Sequence, residues 1–174
     1  MTAIREETEA DRNGIREVNQ RAFGRYDEAD LVDRLRADGV VIVSLVAVIE
    51  GRIAGHILFS ELPIETPSAV TPAAALAPMA VLPELQRRGI GSALVRRGLE
   101  RCREKGRSIA IVVGHPEYYP RFGFSADLAR NLRSPFSGPA FMAAELVPGA
   151  LAGVAGVVRY PAAFRLDPTP QVAP

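Results

Sequence analysis

The chain has 174 residues, 48% of them apolar and 24% charged, with a net charge of +1. This suits a globular protein with a sizeable core and argues against a general binder of nucleic acid. A single cysteine, Cys102, excludes an intramolecular disulfide, and the most apolar stretch, Val40 to Ile49, is half the ~20 residues that span a bilayer, so the expectation is a cytoplasmic chain outside the membrane.

In chain order, "AIREET" reads as a short first strand. Helical signals follow from Glu9 to Phe23, with Ile15, Val18 and Ala22 along one face, and "DEADLVDRLRADG" reads as a second helix stopped by Gly39. The period then changes. "VVIVSLVAVIE" and "RIAGHILFSEL" are strands rich in valine and isoleucine, joined by Glu50 and Gly51 as a hairpin. "PIETPSAVTP" is a proline-rich loop or edge. "AAALAPMAVL" is a third strand, ended by Pro83, and Gly89 to Lys105 is a helix that buries Ile90, Leu94, Leu99 and Cys102. "SIAIVVG" fits a strand covered on both faces, which makes the middle of the chain a strand–helix–strand crossover with two parallel strands. After the loop "HPEYYPRFGF", the segment "AFMAAELVPGALAGVAGVVRY" reads as a strand pair joined around Pro148 and Gly149. The expected domain is 1–167, with a frayed tail at 168–174.

The densest chemistry lies in "LPELQRRGIGSALV", Leu82 to Val95. A helix start leaves backbone N–H groups without partners, and the helix dipole adds positive potential there, so the pair is an anion site. Gly89 and Gly91 allow close backbone approach and positive φ. Arg87, Arg88 and Ser92 add donors for phosphate oxygens. Between Glu84 and Arg107 stand eight basic and three acidic residues, against +1 for the whole chain. The pattern is neither a Walker loop, which needs Gly-Lys-Ser/Thr, nor a dinucleotide fingerprint, which needs glycine where Leu94 stands.

"QRRGIG", Gln86 to Gly91, resembles the acyl-CoA signature Q/R-x-x-G-x-G/A of the GNAT superfamily of N-acetyltransferases. One crossover later "YPRFGF" supplies Tyr119, Gly123 and Phe124 in the family's Tyr-x-x-x-Gly-Phe pattern. Together with "GHPEYYPRFGF" and "FMAAELVPGAL", the chain looks like a bacterial subgroup of predicted N-acetyltransferases. The resemblance implies an α/β (α+β) GNAT fold: a central mixed, mostly antiparallel sheet flanked by helices, with splayed parallel strands forming an acyl-CoA cleft. It implies acetyl-CoA as co-substrate and no metal. Met79, Ala80 and Val81 would meet the pantetheine arm. Gln86, Arg87, Arg88, Gly89, Ile90, Gly91 and Ser92 would hold the pyrophosphate, and His115 and Tyr119 would complete the cofactor surface. The reaction implied is attack by a neutral amine on the thioester. It needs a base, an oxyanion donor near Ala80 or Val81, and an acid for the departing sulfur, with Tyr119 in that last role. A phenol near pKa 10 and an alkyl thiol near 8.5 are close enough for the transfer.

The base is not legible. The strand "AAALAPMAVL" carries no carboxylate. Glu61 is the base carried forward, with Glu28, His115, Glu117 and a water relay as alternatives. The missing carboxylate also motivates a second reading, a non-catalytic acyl-CoA-binding sensor of the same fold. His56, in a strand pattern, reads as a hydrogen-bonded structural histidine. The acceptor is expected to be an amine of a small molecule or peptide. The sequence leaves oligomeric state open, a homodimer included.

Overall fold

In the computed structural model, which describes residues 1–136 and 138–166, strand alternation sorts the core into layers. The elements are β1 (Ala3–Glu6), α1 (Arg12–Phe23), α2 (Asp27–Ala37), β2 (Val41–Ile49), β3 (Arg52–Glu61), β4 (Ile64–Glu65), β5 (Val70–Thr71), β6 (Ala74–Val81), α3 (Ile90–Glu104), β7 (Ile109–Val113), β8 (Leu132–Arg133), β9 (Phe141–Glu145) and β10 (Gly156–Val158). The expected tail, 168–174, lies outside the described residues. No helix among those residues is long and apolar enough to cross a membrane.

Six strands form one sheet in the order β1-β2-β3-β6-β7-β9. Every pair is antiparallel except β6–β7, as the strand–α3–strand crossover requires. The β2–β3 hairpin turns at Glu50 and Gly51, at φ +49° and +75°. Two positive φ values in a row match the right-handed strand twist.

Side chains alternate across the sheet. Val43, Leu45, Ala47, Ile57 and Phe59 pack with Ile90, Leu94, Val95 and Cys102 of α3. On the other face Val46 and Leu58 pack with Ile15 of α1 and Val32 and Leu35 of α2. Further along that face Ala75, Ile109, Ile111 and Ala143 lie against a second, smaller sheet, β5-β4-β10-β8. Two covers of the same face, α1–α2 and the small sheet, therefore flank β6.

The last two strands differ from the expected pair. β9 joins β7 in the large sheet, whereas β10 pairs with β4 and, in parallel, with β8. The reason is burial. Phe141, Met142, Ala143 and Ala144 are all buried, so β9 needs cover on both faces and cannot sit in a solvated hairpin. Likewise "PIETPSAVTP" is not simple loop: it supplies β4 and β5.

Candidate active site

The site begins where two strands part. β6 and β7 pair at Ala74–Ala110, Ala75–Ile111 and Leu76–Val112, and pairing ends there although β6 runs on to Val81. On its other side β6 stays paired with β3 through a bulge: Ile57 faces Met79 and Phe59 faces Leu76, so Leu58 alone opposes Ala77 and Pro78. The Ala77–Pro78 peptide is cis. Such a bulge re-aims the strand beyond it. The result is a cleft of roughly 980 Å³ between β6 and β7, large for a small-molecule site.

Backbone alternation decides which groups of β6 face that cleft. The Leu82 N–H donates to the Ala54 carbonyl, 2.9 Å, and the Ala80 carbonyl lies toward Gly55. Ala80 and Leu82 thus turn their polar groups to β3, and Met79 and Val81 turn theirs to the open edge. The Val81 carbonyl is taken, because Gln86 Nε2 donates to it at 3.1 Å. What remains at the edge are the N–H and C=O of Met79 and the N–H of Val81. The Ala80 N–H, weighed above as an oxyanion donor, points into the sheet.

The turn after β6 is shaped by two left-handed residues, Arg87 at φ +62° and Gly89 at +84°. Gly89 is the N-cap of α3 and has no side chain with which to cap it. The first bond returning to this end is from the Ala93 N–H to the Gly89 carbonyl, 3.0 Å, so the N–H groups of Ile90, Gly91 and Ser92 have no intrahelical partner. The first turn of α3 holds no acidic residue, whereas that of α2 holds Asp27, Glu28 and Asp30. The dipole of α3 is left uncompensated at the cleft. Space at Gly91 is tight: an added methyl would sit 3.3 Å from the Tyr118 hydroxyl and 3.4 Å from the Met79 sulfur.

Across the gap, the loop after β7 forms an aromatic wall. Tyr119 is buried, and its ring lies so close over Gly114 that a Cβ there would come within 2.3 Å of it. Tyr118 stacks edge-on against Tyr119 at 5.1 Å and shares a 3.2 Å hydrogen bond between its hydroxyl and Ser92 Oγ. That bond joins the two walls of the cleft. Burial and the neighbouring Tyr118 push the Tyr119 phenol up to about 12.

The cleft brings together Met79, Ala80, Val81, Gln86, Arg87, Gly89, Gly91, Ser92, His115 and Tyr119. Arg88 is exposed and does not line it, and the Ile90 side chain is buried in the core, leaving only its N–H for a ligand. Glu61 is elsewhere. It pairs with Ala74 at the opposite end of β6 and forms an ion pair with Arg107. The carboxylate that does line the cleft is Glu28, one of the alternatives above, in a side chain 11% exposed. Arg25 Nε holds its two oxygens at 2.5 and 3.0 Å. Phe23, Tyr118 and Arg121 also line the cleft and carry no motif that would single them out. Gly114 could have been flagged by its place just after a buried strand. Among the described residues no cluster of three or more His, Cys, Asp or Glu could hold a metal.

His56 is distant from this chemistry. It is fully buried, with Nε2 2.9 Å from Ser44 Oγ and Nδ1 3.2 Å from Asn19 Nδ2. Asn19 Nδ2 also donates to the Ile15 carbonyl, so both nitrogen contacts of the amide are donations and Nδ1 of His56 must accept. Nε2–H then donates to Ser44. The histidine is structural, as its strand position suggests.

Known proteins place this geometry. The family model for the GNAT acetyltransferase domain matches residues 3–126. The chain is 35% identical to the uncharacterized N-acetyltransferase YhbS of Escherichia coli over 160 residues, 90% of this chain and 95% of that protein. It is 44% identical to the uncharacterized N-acetyltransferase YjhQ of the same organism over 117 residues, 66% of this chain and 65% of YjhQ. Among solved structures, YhbS from Escherichia coli in complex with CoA superposes with TM-score 0.88 at 33% identity, covering 95% and 92% of the two chains. A GNAT acetyltransferase from Brucella melitensis in complex with acetyl-CoA gives 0.79 at 34% identity, covering 94% and 98%. Matching motifs, the split between β6 and β7 and these relatives together place the chain in the GNAT family of acetyl-CoA-dependent N-acetyltransferases.

Proposed function

We propose that this chain transfers an acetyl group from acetyl-CoA to a primary amine of a small molecule or peptide. The observation that carries the reading is the unpaired edge of β6, running directly into an uncapped, uncompensated helix start. An extended amide arm fits the edge and a pyrophosphate fits the helix end. Acetyl-CoA supplies the activated acetyl group and a thiolate leaving group. The chain's own groups do the rest. Met79 and the Val81 N–H hold the arm, and that N–H also faces the acyl oxygen. The N–H groups of Ile90, Gly91 and Ser92, with Arg87, hold the diphosphate. Tyr119 stays protonated at neutral pH and donates its proton to sulfur.

We assign attraction and deprotonation of the amine to Glu28, in place of Glu61. Glu28 is the carboxylate at the cleft wall, and the two hydrogen bonds from Arg25 fix its position. The reading puts a primary amine as acceptor and the chain in the cytoplasm. The lone, buried Cys102 supports the latter.

The test is a panel of amines, polyamines, aminoglycosides and peptide N-termini, read by release of free CoA thiol. One class should turn over with saturation in both substrates. In Tyr119→Phe, kcat should fall by about 100-fold or more while the KM for acetyl-CoA stays within twofold. Binding of acetyl-CoA with no turnover on any amine would favour the sensor reading, and unchanged kcat would remove Tyr119 from the chemistry.

A further inference from the structure

The arginines of α3 are not treated alike. Arg97 pairs with Glu100 at 2.6 Å, and Arg101 pairs with Glu6 at 2.6 Å. Arg96, between them and the cradle, does neither. It stands one helical turn past Ser92, so it shares that face of α3. Its guanidinium lies 5.1 Å over the ring of Phe122. From the facing wall, the guanidinium of Arg121 lies 5.6 Å over the ring of Tyr118, and Arg121 lines the cleft. The two rings are themselves 5.2 Å apart, edge to face. Two cations are therefore seated on neighbouring rings. Among the described residues neither has a carboxylate within ion-pair distance.

Stacking fixes a guanidinium plane without using its N–H donors. Two guanidinia held in this way, one carried by α3 and one by the loop after β7, suit a dianion that accepts several charge-assisted hydrogen bonds. Their position is also set: the Tyr118 hydroxyl is bonded to Ser92 Oγ, and the Ser92 N–H belongs to the helix start. The pair thus adjoins the diphosphate cradle without being part of it.

We propose that Arg96 and Arg121 form a subsite for a phosphate monoester, the 3′-phosphate on the ribose of CoA. The subsite rests on the acetyl-CoA reading of the cleft. It makes the protein select CoA thioesters over their 3′-dephospho forms, a choice the motif residues cannot make because they meet only the diphosphate.

Calorimetric titration with CoA and with 3′-dephospho-CoA tests this on the wild type and on Arg96→Ala, Arg121→Ala and Arg103→Ala. Arg103 is exposed on the same helix and controls for lost charge. The wild type should bind CoA about tenfold or more tighter than dephospho-CoA. Arg96→Ala and Arg121→Ala should each erase most of that preference, with dephospho-CoA affinity held within twofold as proof of an intact fold. Arg103→Ala should change neither affinity. Equal wild-type affinities, or variants that weaken both ligands alike, would overturn the subsite and leave the acetyl-CoA reading standing. Failure of both ligands to bind would overturn that reading, and the subsite with it.

Discussion

At the scale of single residues, burial alters the ordinary chemistry of groups both in the site and away from it. Tyr119 is one, held neutral and aimed by its contact with Gly114. His56 is another. Burial holds its pKa down at about 4, against 6.5 when unfolded, with Glu7 pulling weakly the other way and Arg36 reinforcing the fall. A base with a depressed folded pKa leaves the unfolded chain binding more protons between the two values. Stability is then complete above pH 6.5 and is lost as pH falls through that window. Glu6, Glu7, Asp11 and Glu84 also have lowered pKa values, so their stabilisation is lost as pH falls from the usual carboxylate range downward. Between pH 6.5 and 5 the loss belongs chiefly to His56 and should be about 1.5 to 2 kcal/mol. Urea unfolding at both pH values checks this. His56→Gln should flatten the dependence in that window while lowering stability at pH 7.

At the scale of elements, α3 and β3 meet through a glycine. A Cβ at Gly98 would lie 2.3 Å from the Phe59 ring edge, and Phe59 is fully buried. Alanine would gain up to about 1 kcal/mol of helix propensity, and overpacking a rigid ring costs about 1 to 3. The second effect wins, and Gly98→Ala should lower the free energy of unfolding by about 1 kcal/mol; a stabilised variant would show that Phe59 has room to move. This contact also shows what sequence could deliver. Helices, the Glu50–Gly51 hairpin and the parallel crossover were legible because periodicity and turn residues are local signals. The turn into α3 was legible because backbone conformation there needs glycine at 89. The partner of β9 was not, because "FMAAE" and "GVV" are equally apolar and only tertiary cover separates their sheets. Nor was the carboxylate that lines the cleft: Glu61 and Glu28 are both ordinary glutamates in sequence, and only the fold sets Glu28 at the cleft wall.

At the scale of the molecule, function follows from an incomplete cover. α1–α2 and the small sheet shield one face of the large sheet, α3 shields the other, and the far half of β6 is left with an open backbone edge between them. The near-neutral chain concentrates positive charge at that opening, since Arg87, Arg96 and Arg121 have no carboxylate within ion-pair distance among the described residues while Arg97 and Arg101 are paired. The central claim, that this opening is the acetyl-CoA site, is tested most directly by titrating acetyl-CoA into the wild type and into Gly91→Glu, with circular dichroism as the check on folding. A carboxylate at that position would meet the helix start where the diphosphate is placed. The account predicts saturable one-to-one binding by the wild type and at least about a hundredfold weaker binding by a folded Gly91→Glu. Equal affinity in the two proteins, or none in the wild type, would contradict it.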